Sequence, residues 1–101
     1  MTQIERIVKM EQNLDAASSA IAKLHIALSE YLGVQDKIAE LMSYYSNGYW
    51  IKDYEADAAG LLPHDLKRGV LSEDSVFDLI SDNRATADTL AEAVKFLNKQ
   101  D

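Results

Sequence analysis

The chain has 101 residues, with 48% apolar side chains, a single Pro, 4 Gly and no Cys. That length fits one domain with a modest core, and the composition excludes general disorder, disulfides, thiolate metal sites and cysteine nucleophiles. The formal net charge of -7, with net -4 over residues 72–101 alone, repels phosphate backbones and argues against a nucleic-acid partner.

The scarcity of Pro and Gly, with abundant Ala, Leu, Ile, Glu and Lys, points to an all-α class. Residues 1–15 carry acids and no continuous apolar run, so they do not read as a signal peptide. No apolar run approaches the ~18 residues of a spanning helix. The expectation is a cytoplasmic protein that does not engage a membrane.

The first predicted element is a long helix over about residues 3–45, free of Pro. Apolar residues recur at heptad spacing. One set is Ile7, Leu14, Ile21, Leu28 and Met42, with Gln35 interrupting it. The other is Met10, Ala17, Leu24, Tyr31, Ile38 and Tyr45. These are the a and d positions of a coiled-coil-like stripe. Such a helix would be ~65 Å long at 1.5 Å per residue, so a kink is expected, and Gly33 is the natural place for it. His25 lies beside the stripe with no ligand cluster around it.

Residues 46–71 form the predicted connector. Asn47 and Gly48 can supply the left-handed residue that ends the first helix. Trp50, Ile51 and Tyr54 fall at helical spacing, which predicts a short helix over about 49–58, stopped by Gly60. Pro63 suits the first position of a helical turn, so one short turn is expected over 63–68.

Unusual residues concentrate in this connector and at its edges. Residues 44–75 hold the only Trp, the only Pro and four of the five Tyr. Lys67 and Arg68 are the only adjacent basic pair. They read either as a contact for an anion or an acidic partner, or as an internal ion pair with Asp53, Glu55, Asp57, Glu73 or Asp74. Of the aromatic residues, Tyr45 and Trp50 are expected inside, and some of Tyr44, Tyr49 and Tyr54 at a surface.

Other chemistry is thinly signalled. Asp53, Glu55 and Asp57 are three carboxylates within five residues, but alternate residues of a helix point apart. They lack the Gly and the closing Glu of a calcium loop. His64 beside Asp65 offers a general base only if the two face each other, which sequence neighbours seldom do. No catalytic triad spacing, phosphate-cradling loop or zinc motif is present, and no cofactor is expected.

The last predicted helix spans about 73–98, with Ser72 as N-cap and Glu73 and Asp74 in its first turn. Its stripe is Val76, Ile80, Asn83, Ala87, Leu90, Val94 and Leu97. If the long helices run antiparallel, Asn83 falls within a turn of Gln35, and the two amides would form a register-fixing polar pair. In that register Ile4, Ile7, Met10, Leu14 and Ala17 stay uncovered, which predicts a homodimer through the first half of the first helix.

The run D-Y-E-A-D-x-x-G-L-L-P-x-D-L-K-R-G-V-L-S-E-D, over residues 53–74, resembles the signature of a family of small bacterial proteins, domain of unknown function 4298. The likeness extends to chain length, the long first helix, the paired Tyr and the Trp ahead of the acidic run, and the helix after S-E-D. It implies the fold and no activity.

The expected architecture is therefore a single domain, a long antiparallel helical hairpin with one or two short helices in its connecting stretch. The expected function is a non-enzymatic protein-interaction module or regulator. Its surface would use Tyr44, Tyr49, Trp50, Tyr54, Lys67 and Arg68. The alternative is a small metal- or phosphate-ligand-binding protein or enzyme built on Asp53, Glu55, Asp57, His64, Lys67 and Arg68.

Overall fold

The computed structural model describes residues 2–99. The fold is all-α, with no strand among the described residues. Helices α1 (Gln3–Gly33), α2 (Gln35–Ser46), α3 (Tyr49–Ala58) and α4 (Ser75–Asn98) follow in order, with a 3₁₀ turn at Gly69–Leu71 between α3 and α4. Among the described residues no helix is long and apolar enough to cross a membrane. The chain divides into two compact units, Met1–Asp36 and Lys37–Asp101.

The first unit is essentially α1. Thr2 caps it: the Thr2 hydroxyl accepts from the backbone N–H of Glu5 at 3.1 Å and donates to the Glu5 carboxylate at 3.0 Å. This satisfies one of the orphan donors of the first turn and sets an acid where the helix dipole favours it. No residue of α1 is buried. The helix is interrupted at Val34, one residue after the glycine expected to kink it. Gly33 keeps a negative φ, whereas Val34 takes φ -95° and ψ 0°. The cause lies in Gln35, whose side-chain amide donates to the carbonyl of Tyr31 at 3.0 Å. A side chain inserted into the ladder is a standard source of a helix break.

The second unit is built around four buried side chains, one from each of its elements. Ile38 comes from α2, Trp50 from α3, Leu71 from the 3₁₀ turn and Val76 from α4. Helices α2 and α4 also line one groove, with Met42 from α2 and Ile80, Asn83 and Ala87 from α4. The turn between α2 and α3 is made by Asn47 and Gly48. The Asn47 side-chain oxygen accepts from the Tyr49 N–H at 3.0 Å, and Gly48 sits at φ +95°, a conformation that strains any residue with a Cβ. At the far end of α3, Gly60 at φ +73° closes a Schellman motif. Leu61 N–H donates to Ala56 and Gly60 N–H to Asp57, each at 3.0 Å.

Beyond Gly60 the chain departs from the predicted pattern in two places. The turn at Pro63 amounts to one bond, Leu66 N–H to the Pro63 carbonyl at 3.3 Å, and Gly69 opens the 3₁₀ turn instead of ending a helical one. Ser72 is not the cap of α4. It ends the 3₁₀ turn, its N–H held by Gly69 and its ψ extended at 144°. The helix starts at Ser75 after Asp74, which caps it with no side-chain hydrogen bond. Both Leu71 and Val76 must reach the core, and the extended residue between them lets them do so.

Leu71→Ala is expected to cost about 2–5 kcal/mol in urea unfolding, since it empties one of four core positions. Ile26→Ala, on the exposed side of α1, is expected to stay within about 0.5 kcal/mol of the wild type.

Candidate functional site

All the aromatic and basic residues singled out in the connector lie in the second unit, and most of them are engaged with one another. Trp50, in the first turn of α3, is buried. Its indole N–H donates to the Val70 carbonyl at 2.8 Å, which ties the start of α3 to the 3₁₀ turn. Tyr45 of α2 tilts against the indole with ring centroids 5.1 Å apart, and Tyr54, one helical turn on, stacks against it at the same distance.

The hydroxyls continue the bracing. Tyr44 donates to the Asp53 carboxylate at 2.6 Å, joining α2 to α3. Tyr54 donates to the Glu73 carboxylate at 2.9 Å, joining α3 to the segment before α4. Burial pushes the Tyr44 hydroxyl up to about 12, and the hydrogen bond to Asp53 and the charge of that carboxylate act in the same direction. The Tyr54 hydroxyl is also raised, chiefly because it donates to Glu73.

Arg68 closes the loop after α3. Its Nη1 donates to Asp57 at 2.6 Å, its Nε to the Leu66 carbonyl at 3.3 Å and its Nη2 to the Pro63 carbonyl. One planar fork thus pins three points of the chain. Lys67, the other half of the basic pair, is exposed and takes part in no ion pair among the described residues. Tyr49 is exposed as well, with the Lys52 ammonium 5.7 Å from its ring centroid.

These braces frame a cleft of about 280 Å³ lined by Tyr44, Asp53, Leu62, Leu66, Lys67, Val70 and Leu71. Its walls are leucine and valine side chains, and its polar groups are the Tyr44–Asp53 pair and Lys67. A larger depression of about 460 Å³ is lined by Lys37, Glu40, Leu41 and Tyr44. All four belong to α2.

The three carboxylates named as a metal alternative do not gather. Asp53 faces Tyr44, Asp57 faces Arg68, and Glu55 is exposed. Among the described residues no group of three His, Asp or Glu side chains is placed to hold a metal ion. His64 and Asp65 are both exposed in the loop. The residues proposed for a dimer interface, Ile4, Ile7, Met10, Leu14 and Ala17, are exposed on α1. Leu62, Leu66 and Val70 were not singled out as site residues. The available signal was their apolar character inside a Pro- and Gly-containing loop, where polar residues are the rule.

The model of the family described as domain of unknown function 4298 matches residues 7–93. The chain belongs to that family. No curated protein and no solved structure matches the chain. Most of the family's match lies on the braced second unit and the α1 stripe, so membership goes with the fold described above and assigns no reaction.

The Tyr44–Asp53 bond should be visible in alkaline unfolding. A folded-state hydroxyl raised above its unfolded value contributes stability fully present below about pH 10 and lost as pH rises from about 10 to about 12. Tyr44→Phe is expected to be less stable at neutral pH by about 1 kcal/mol and to close that gap over the same interval. A constant gap from pH 7 to 12 would show that the hydrogen bond is not made.

Proposed function

We propose that this protein is a non-enzymatic interaction module, a small adaptor or regulator whose docking surface is the cleft between α2, α3 and the loop before the 3₁₀ turn. The observation that carries this reading is the cleft's composition: apolar walls formed by Leu62, Leu66, Val70 and Leu71, with Lys67, in no ion pair among the described residues, lining it too. An apolar side chain of a partner protein fits the walls, and a neighbouring carboxylate on the partner fits Lys67. Tyr49 and Leu61 are also exposed. Arg68, Trp50, Tyr44 and Tyr54 act in this reading by holding the cleft open, since each is engaged internally.

Among the described residues, two of the acids named for the alternative are engaged by Tyr44 and Arg68, and Glu55 is exposed.

The test is affinity capture from the native cell with cross-linking at Lys67. Lys67→Glu should melt as the wild type does and lose a stoichiometric partner that cross-links through Lys67 in the wild type. Arg68→Ala should melt several degrees lower, because it leaves Asp57 and two carbonyls unpaired. A partner retained by Lys67→Glu would overturn the assignment of the cleft. A melting point raised by magnesium, manganese or phosphate, with no partner captured, would overturn the adaptor reading.

A further inference from the structure

The α1 helix poses a separate problem, independent of the cleft. It has 31 residues and buries none of them. An isolated helix of this kind is poorly stable in water, because helices in proteins are held chiefly by packing of their apolar face. That face is present and regular. Ile7, Leu14, Ile21 and Leu28 take the a positions of four heptads, and Met10, Ala17, Leu24 and Tyr31 the d positions. Ile7, Met10, Leu14, Ile21 and Leu24 are each more than half exposed. Four uninterrupted heptads on a capped helix have the length of a coiled-coil strand.

The charges beside the stripe say what covers it. Arg6 holds a g position and Glu11 the following e position. Five residues apart, they do not face each other on their own helix, and neither side chain takes part in an ion pair among the described residues. In a parallel, in-register pair of helices a g residue faces the e residue five positions later on the other strand. Arg6 then meets Glu11 of the second copy, and two-fold symmetry makes the pair twice. The remaining flank pairs are Asn13 with Ser18, Ala20 with His25 and Ala27 with Leu32, none of them like-charged. In an antiparallel pair g faces g. The g positions are Arg6, Asn13, Ala20 and Ala27, so Arg6 finds no acid in that arrangement.

We propose that α1 pairs with the α1 of a second copy of this chain as a parallel, in-register coiled coil, with the Ile7–Leu24 stripe as seam and Arg6 against Glu11 across it. The second copy is the occupant that both observations select: the stripe is self-complementary, and Arg6 finds an acid across the seam only in the parallel orientation.

Light scattering of the full chain at micromolar concentration should give twice the 11.3 kDa of one copy. Arg6→Glu and Glu11→Arg should each weaken association roughly tenfold, as attraction becomes repulsion at two symmetric sites, and the double reversal should restore it. The chain has no Cys, so Ile7→Cys provides an orientation test: the parallel pair brings the two substituted positions together, and a disulfide-linked dimer should form under mild oxidation. A mass of 11.3 kDa at micromolar concentration would overturn the proposal. A dimer that fails to cross-link through Ile7→Cys, or in which the double reversal is no better than either single one, would overturn the parallel register.

Discussion

An indole can be buried at a profit only if its N–H finds an acceptor. In this protein the acceptor for Trp50 is a backbone carbonyl twenty residues on, that of Val70. The one bond fixes where the loop after α3 must return, and the arrangement of the second unit follows from it. With Val70 held against α3, Leu71 is delivered to the core beside Trp50, and the chain then has one extended residue, Ser72, before Val76 enters the same core. Tyr45 brings α2 to the indole, and Tyr54, on the same helix as Trp50, stacks against it.

The polar residues around this hub divide into two kinds. Asp53, Asp57, Glu73 and Arg68 are each matched to a partner on another element, and their bonds close the frame. Such pairs, partly exposed as they are, contribute modestly to net stability. Their main effect is geometric: Asp57 of α3 and two carbonyls of the loop converge on one guanidinium, and two tyrosine hydroxyls fix the faces of α2 and α3. Lys67 and Tyr49 stand outside that frame. A preorganised cleft with few unsatisfied groups suits recognition of another chain, since little ordering remains to be done on binding.

Much of the fold was legible because it rests on local rules. The limits of α3 follow from the spacing of Trp50 and Tyr54 and from Gly48 and Gly60, and these glycines do take positive φ. The all-α class follows from composition and periodicity. What escaped was decided by side-chain contacts and burial that periodicity does not carry. Ser72 has the chemistry of an N-cap, yet the burial of Leu71 draws it into the 3₁₀ turn. Gly33 is the weakest helix former near the break, yet the side chain of Gln35 places the interruption at Val34. The basic pair looked like a unit in sequence; in space Arg68 is bound to Asp57, and Lys67 takes part in no ion pair among the described residues. The apolar walls of the cleft come from a loop that carries no periodicity to read.

The claim on which this account stands is that Trp50 is an enclosed hub. It is the only tryptophan, so its fluorescence reports on that site alone. The measurement is acrylamide quenching of the native protein, compared with the same protein in denaturant. The account predicts a blue-shifted emission, weakly quenched, that turns red and readily quenched in step with the loss of helical circular dichroism. A native emission as red and as easily quenched as that of the unfolded chain would mean that the indole is not enclosed, and that the cleft built upon it is not preformed.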